Sequence, residues 1–140
     1  MKTIRFLLSL ILVCGFVCVA EAAKVELLII PPDYDGGANL VAYYVEYRNY
    51  SDGGHWKKAK ENPIPAIKVE VSGKFEYAAV SCSIELLNVN YGDKYQFRVR
   101  AENIYLLGEQ GKETEPITIN FEFIGNVRVK CGRMPRYCPR

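Results

Sequence analysis

Residues 89–103, which read VNYGDKYQFRVRAEN, are the stretch that decides the fold. Asn90 to Asp93 supplies turn residues, and from Lys94 onward polar and apolar residues alternate up to Asn103. Strict alternation is typical of a strand with one buried face, because successive side chains point to opposite sides of a sheet. The stretch therefore predicts a turn followed by a long strand. The residues expected to share its inward face are Tyr95, Phe97, Val99 and Ala101.

The rest of the chain repeats this pattern of short strands between turns. The other predicted strands are Val25 to Ile30, Leu40 to Arg48, Trp56 to Ala59, Ile67 to Val71, Tyr77 to Leu87 and Ile117 to Phe123. In the second of these, strict alternation predicts one face made of Val41, Tyr43, Val45 and Tyr47. No apolar stripe with a 3.6-residue period is long enough for a core helix. Such a series of strands favours an antiparallel β-sandwich.

Several pieces of the sequence resemble a fibronectin type III domain. Residues 31–37, PPDYDGG, resemble the loop between that family's second and third strands, and Tyr44 to Arg48 resembles its third strand. Trp56 resembles the tryptophan that opens the next strand, and Val89 to Asn103 is the strongest match. The resemblance covers about residues 25 to 120. It implies an all-β, fibronectin type III-like (immunoglobulin-like) antiparallel sandwich, a scaffold used for many unrelated functions.

The resemblance also assigns core positions. It implies that Tyr95 forms a tyrosine corner, with its hydroxyl hydrogen-bonded to a backbone group upstream. The residues expected in the core are Tyr95, Val89, Val99 and Ile84. The chain begins almost directly on the family's second strand, so its first strand is missing or replaced. Phe121 to Lys130 reads as an additional strand able to fill that gap, and an edge left open would favour self-association.

The N-terminus predicts secretion. Residues 1–22 combine Lys2 and Arg5 with an apolar run from Phe6 to Val19 and small residues near position 22, which is the order of a signal peptide. We expect cleavage after Ala22 and an extracellular product, because no later segment has eighteen consecutive apolar residues. The predicted units are thus a signal peptide (1–22), the sandwich domain (23–122) and a basic extension (123–140).

Charge is distributed unevenly along the mature chain. Residues 123–140 hold five basic and no acidic residues, whereas residues 23–122 carry about −4, within a total of +2 for the 140 residues. An acidic partner is therefore expected to contact the C-terminus. Partners that fit this charge are an extracellular matrix protein, an acidic polysaccharide or a mineral surface, rather than nucleic acid.

Three cysteines remain after signal cleavage: Cys82, Cys131 and Cys138. An odd number in an oxidising compartment implies one internal bridge and one remaining thiol. Cys131 and Cys138 are the natural pair, since Gly132 and Pro135 lie between them, although three single bridges are open. Cys82 is interpreted as a buried thiol, with an intermolecular disulfide as the alternative.

No catalytic or metal-binding pattern stands out, so we expect neither an enzyme nor a cofactor. His55 is the only histidine and lies beside two glycines, without a nucleophile nearby in the sequence. Asp33 and Asp35 lack the acidic density of a calcium loop. Asn49 begins the sequon Asn-Tyr-Ser in a predicted surface loop, so glycosylation there is permitted but not required.

The C-terminal residues suggest two kinds of function. A Cys131–Cys138 ring would present Arg133 and Arg136 to an anionic surface, or would simply protect the end of the chain. The preferred hypothesis is a secreted, non-enzymatic binding or structural module of an extracellular matrix, including the organic matrix of shells. The alternative is a soluble ligand or effector that acts on a receptor or a trypsin-like protease through this basic loop.

Overall fold

The computed structural model describes residues 22–138, and these form strands, turns and extended loops without a helix. The predicted signal peptide up to residue 21 lies outside the described residues, as do Pro139 and Arg140. Within the described part, no helix has the length and apolar character needed to cross a membrane. The strands are β1 (Ala22–Ile30), β2 (Leu40–Asn49), β3 (Lys57–Lys58), β4 (Ile64–Pro65), β5 (Lys68–Val71), β6 (Lys74–Tyr77), β7 (Val80–Leu87), β8 (Lys94–Asn103), β9 (Ile117–Thr118) and β10 (Phe123–Lys130).

Two sheets pack around one hydrophobic core, which makes the fold an all-β sandwich of the fibronectin type III and immunoglobulin kind. The first sheet has the order β10-β1-β7, and the second has the order β3-β2-β8-β9 with β4 also paired to β2. β1 buries every second residue, as the alternation rule requires. Those residues are Ala23, Val25, Leu27 and Ile29.

The place beside β1 that the resemblance leaves without a first strand is filled by β10. β10 pairs with β1 in parallel, from Lys24 opposite Phe123 to Ile30 opposite Lys130. Val127 and Val129 point inward from β10 and join the core. The sheet therefore holds one parallel pair, because β7 runs antiparallel to β1 on the other side. The expected open edge next to β1 is covered by the chain's own C-terminal part.

β2 and β8 form the central pair of the second sheet. They are antiparallel over their whole lengths, with a register shift between Leu40 and Ala42. Because of this irregularity, Leu40 and Ala42 are buried and Val41 is 42% exposed, so the prediction that Val41 shares the inward face was wrong. Farther along β2 the alternation is regular and buries Tyr43 and Val45.

The predicted core positions lie in the core. Tyr95, Val89, Val99 and Ile84 are all buried. The Tyr95 hydroxyl hydrogen-bonds to the backbone of Asn90, which is the tyrosine-corner contact, and it also accepts a bond from the Asn49 side chain at 3.4 Å. This contact ties the turn before β8 to the strand itself.

After β10 the chain crosses from the first sheet to the second as an extended segment, residues 131–137, which we call the C-terminal strap. The Cys131 amide donates to the carbonyl of Ile30, and the Gly132 amide donates to that of Val99. The Arg133 carbonyl accepts from Glu109, and the Tyr137 amide donates to Gly36. Met134 is buried at 2% exposure, and the Tyr137 ring stacks on that of Tyr105. The strap closes one side of the sandwich.

β5 and β6 form a separate two-stranded hairpin. Its turn is Ser72-Gly73, and both residues have positive φ angles of 51° and 77°. A two-residue turn of this type matches the twist of a hairpin. All residues of β5 are exposed, so the hairpin projects from the body of the sandwich.

Candidate interaction surface on the second sheet

The outward side chains of β2 and β8 form a continuous polar surface. Residues that alternate with the core positions pair across the two strands, Glu46 with Arg98 and Arg48 with Gln96. Trp56, just before β3, lies over this surface and is half-buried. We define the Trp56 face as the surface made of Tyr44, Glu46, Arg48, Trp56, Arg98 and Arg100.

Trp56 packs against two arginines. The guanidinium carbon of Arg98 lies 4.1 Å from the centre of the Trp56 ring, and that of Arg48 lies 4.7 Å from it. Each cation–π contact of this kind contributes about 0.5–1 kcal/mol at exposed sites and more when water is excluded. Two planar cations against one indole leave this ring with little rotational freedom.

Both arginines are also fixed by polar contacts. Arg98 forms a salt bridge with Glu46 at 2.9 Å, and Glu46 in turn accepts a hydrogen bond from the Gln110 side chain. Arg48 donates to the side-chain oxygen of Gln96 at 2.8 Å and lies 3.4 Å from the Glu113 carboxylate. The contacts form a connected network across β2, β8 and the segment after β8. Such a network presents a pre-ordered surface, which lowers the entropic cost of binding.

A concavity of about 430 Å³ lies beside this network. Tyr44, Lys58, Arg100 and Gln110 contribute polar groups to its lining, and Leu107 contributes an apolar wall. Arg100 and Lys58 make no salt bridge to any residue in 22–138. The Gln110 side-chain oxygen is buried and has no hydrogen-bond partner in this part of the chain. The lining also includes Glu46 and Glu102, which accept from Arg98 and Tyr44 respectively. The concavity thus offers two cations that are not in salt bridges, beside two carboxylates that are already engaged.

Tyr44 supplies a neutral hydroxyl at the rim. Its hydroxyl donates to Glu102 at 3.3 Å. Desolvation and the neighbouring Glu102 carboxylate raise the pKa of the Tyr44 phenol above its usual range. Tyr44 therefore stays protonated at neutral pH and keeps Glu102 oriented.

The Cys131–Cys138 ring expected from the sequence differs from the structure. All three described cysteines are free thiols: Cys131 is buried in the core, Cys138 is exposed and Cys82 is half-buried. The strap explains the difference, because its backbone is paired in turn with Ile30, Val99, Glu109 and Gly36 and does not turn back. Gly132 serves a close approach of two backbones rather than a turn.

Burial reduces the reactivity of two of these thiols. Desolvation raises the pKa of Cys131 to about 12 and is the largest of the effects that raise that of Cys82 to about 11, the latter with help from Glu61 and Glu26. The thiolate is the nucleophile in disulfide exchange, so a raised pKa slows reaction at neutral pH. Cys138 is the accessible thiol, whereas the sequence pointed to Cys82 for an intermolecular disulfide.

This arrangement predicts an order of alkylation. With iodoacetamide at about pH 8, Cys138 is expected to react first and Cys82 at least about tenfold more slowly. Cys131 should react only when the protein is unfolded. Peptide mass spectrometry at timed intervals measures the three rates. A native protein whose mass is two hydrogens below that of the reduced chain, and whose Cys138 resists labelling, would instead support the Cys131–Cys138 bridge.

Asn49 of the sequon has a structural role. Its amide nitrogen donates to the Asp93 carboxylate at 2.9 Å, and its oxygen accepts from the Asp52 amide at 3.2 Å. Ser51 of the same sequon accepts from the Lys94 amide. A glycan on the Asn49 nitrogen would compete with the bond to Asp93. Glycosylation of Asn49 stays a prediction.

The remaining sequence candidates lie apart from the Trp56 face. Arg133 and Arg136 are exposed on the strap, and His55 is exposed in the loop before β3. Asp33 pairs with Lys130 at 2.7 Å, and Asp35 accepts the Gly37 amide at 2.9 Å, so both carboxylates have structural partners. In residues 22–138 no group of three or more His, Cys, Asp or Glu side chains is placed to hold a metal ion.

Comparison with known proteins shows a similarity over part of the chain. No family model matches the chain. A curated protein of Xenopus laevis, named cell adhesion molecule-related/down-regulated by oncogenes, is 36% identical over 83 residues. The match covers 59% of this chain but 5% of that protein. The similarity is therefore to a small part of a much longer protein.

Proposed function

We propose that this chain is a non-enzymatic module that binds a protein partner outside the cell through the Trp56 face and its concavity. The observation that carries the proposal is the pair of cations without a salt bridge, Arg100 and Lys58, beside a rigid network centred on Trp56. Tryptophan and arginine are the residues most enriched at the energetic centres of protein interfaces. A rigid aromatic next to a charged hollow is a suitable anchor for a partner side chain.

The chemistry of the concavity indicates an acidic partner residue. A carboxylate entering it would pair with Arg100 and Lys58, while the apolar Leu107 contacts the carboxylate's hydrocarbon stem. The two carboxylates of the lining, Glu46 and Glu102, already accept from Arg98 and Tyr44. Arg98 and Arg48 are already paired with acidic residues and contribute shape rather than free charge.

The similarity to a cell adhesion molecule supports this proposal. Adhesion requires protein binding outside the cell, and the name of the matching relative describes it as cell adhesion molecule-related. The predicted signal peptide agrees with an extracellular location. Because the match spans only 5% of that protein, its own partners are not assigned to this chain.

A place in an extracellular matrix, including the organic matrix of a shell, is a narrower proposal within this function. It rests on the predicted secretion and on the basic C-terminal residues, which suit an acidic polysaccharide or mineral surface. The alternative is a soluble ligand that uses Arg133 and Arg136, both of which are exposed on the strap. The two proposals differ in which cations make the contact.

Charge reversal tests the Trp56 face. The purified mature protein is applied to intact cells and to insoluble matrix from the source tissue, and the bound fraction is measured over a concentration series. Arg100→Glu and Lys58→Glu are each expected to weaken binding at least about tenfold, because they replace attraction to an acidic partner with repulsion. Thermal unfolding of each variant confirms that the fold is retained.

Arg128→Glu is the matched control, since Arg128 is an exposed arginine on β10 in the other sheet. It makes the same charge change and is expected to leave binding within about twofold. Loss of binding only in an Arg133→Ala/Arg136→Ala variant would replace the proposal with the ligand alternative. Equal binding by every variant would exclude both surfaces.

A further inference from the structure

The outer edge of β5 has unpaired backbone groups. β5 pairs with β6 on one side, and no other described strand pairs with it on the other. The Ala78 amide donates to the Ile67 carbonyl, which places Ile67 in a hydrogen-bonded pair of the hairpin. Because hydrogen-bonded positions alternate along an antiparallel strand, the backbone N–H and C=O groups of Val69 and Val71 also point toward β6. The backbone groups of Lys68 and Glu70 therefore point outward.

The hairpin is fixed to the body of the protein at its base, where the Ala66 amide donates to the Val41 carbonyl of β2. The edge without a partner strand therefore begins at Lys68. Phe75, Glu76 and Tyr77 line a groove with the loop Pro31–Asp35. The Tyr77 hydroxyl accepts the Leu40 amide at 3.0 Å and fixes the hairpin to the start of β2. β5 thus forms the outer edge, and each of its residues is exposed.

The sequence of this edge is complementary to itself. Residues 67–71 read IKVEV, with β-branched residues at 67, 69 and 71 and opposite charges at 68 and 70. When two copies run antiparallel with Val69 opposite Val69 of the second copy, Ile67 faces Val71 and Lys68 faces Glu70. Every opposed pair is then apolar with apolar or positive with negative, and both kinds of pair stabilise a sheet.

The hydrogen-bond phase agrees with the same register. The outward backbone groups of Lys68 and Glu70 lie opposite each other in it, so the two copies exchange four hydrogen bonds. Moving the register by two residues opposes Glu70 to Glu70, or Lys68 to Lys68, of the second copy, and loses both ion pairs. A one-residue slip puts charged residues opposite valines. Parallel pairing in register would bring like charges together.

We propose that a second copy of this chain binds at this edge, through two-fold antiparallel pairing of residues 67–71, to form a four-stranded sheet across the dimer. Ile67, Val69 and Val71 of the two copies then form one apolar stripe. These side chains are 48%, 37% and 48% exposed in the single copy, which is unusual for three β-branched residues in a row on one face. The Glu70 carboxylate makes no salt bridge within residues 22–138. The Lys68 ammonium has neutral partners there, the Asn39 side chain at 2.9 Å and the Phe75 ring at 5.2 Å, and in the dimer it exchanges the bond to Asn39 for one to the second copy's carboxylate.

The contact is small, so the association should be weak. Four hydrogen bonds, two ion pairs and three apolar pairs are expected to give a dissociation constant on the order of 100 µM. Weak pairing becomes effective where many copies are held on one surface, because the high local concentration of copies favours each contact. The edge lies on the hairpin rather than on the Trp56 face, so the dimer and the binding function can each be disproved without affecting the other.

Sedimentation equilibrium of the mature protein over a concentration series tests the dimer. Lys68→Glu and Glu70→Lys, made singly, are each expected to weaken dimerisation about tenfold, because each opposes two pairs of like charges. The double variant Lys68→Glu/Glu70→Lys restores opposite charges at every pair and should return the constant to within about threefold of wild type. A monomer at about 1 mM would overturn the proposal. So would single variants that dimerise like wild type, or a double variant no better than the singles.

A cross-link tests the register itself. In a Cys138→Ser background, Val69→Cys places two thiols at a directly opposed, non-hydrogen-bonded pair, where Cα atoms are about 4.5 Å apart and a disulfide can form. Val71→Cys is the matched control on the same strand and face, because it opposes Ile67 rather than itself. Mild oxidation should give a covalent dimer of the first variant and not of the second. Equal cross-linking of both, or none of the first, would contradict this register.

Discussion

Replacement of Val129 by glutamate is expected to lower the free energy of unfolding by about 4 kcal/mol. Val129 points from β10 into the core and is 1% exposed, so the change removes apolar contacts and buries a carboxylate without a partner. Since whole domains are stable by only about 5–15 kcal/mol, such a loss moves the urea midpoint far toward zero. Urea unfolding followed by Trp56 fluorescence measures it.

Arg128→Glu is the control for this change, because Arg128 is the exposed neighbour of Val129 on the same strand. It introduces the same side chain and should alter stability by less than about 0.5 kcal/mol. If both variants unfold at the same urea concentration, β10 is not part of the folded sandwich. The parallel pairing of β10 with β1 would then be wrong.

Replacement of Gly132 by alanine is expected to cost about 3 kcal/mol, which is large for one methyl group. A β-carbon at Gly132 would overlap the Glu109 carbonyl oxygen and the Gln110 backbone, and neither can move aside like a side chain. The reason is the close crossing of the strap over the segment after β8. Thermal or urea unfolding of the variant gives the change in stability.

Gly125→Ala is the matched control in β10. A β-carbon there would meet only the ring of Phe123, at 3.4 Å, and Phe123 is exposed. The expected change is within about 0.5 kcal/mol. A Gly132→Ala variant as stable as this control would mean that the strap does not pack where the structure places it.

The strands were predictable because their signal is local. β8 spans Lys94–Asn103 as the alternation indicated, and Tyr95 forms the expected corner, since period-two patterns and turn residues act over a few positions. The alternation placed Val41 on the wrong face, because the register shift between Leu40 and Ala42 depends on the partner strand. The direction of β10 also depends on where the chain crosses, so sequence indicated a strand there but not its parallel pairing with β1.

The candidate site was harder to predict. The outward residues of β2 and β8 read as an ordinary solvated face, and Arg48 and Arg98 are 50 positions apart in the sequence. Their convergence on Trp56 requires the register of two strands and the position of a third segment. Trp56 was noted only as a fold marker. The position of Trp56, combined with the alternating charges at 44–48 and 96–100, is the sequence signal that could have indicated this surface.

The cysteines show the opposite error, in which closeness along the chain suggested a contact that the fold does not form. Cys131 and Cys138 are seven positions apart with a glycine and two prolines nearby, which favours a turn when read alone. In the structure that glycine permits backbone contact with Glu109 and Gln110 instead. Arg133 and Arg136 consequently lie along an extended strap rather than in a ring.

Photocrosslinking tests the proposed binding surface most directly. With p-benzoylphenylalanine in place of Lys58, irradiation of the protein on source-tissue cells or matrix should join it to a partner protein, because position 58 borders the concavity. The same group in place of Arg128 should give no such product. A product of equal yield from both positions, or from position 128 alone, would contradict binding through the Trp56 face.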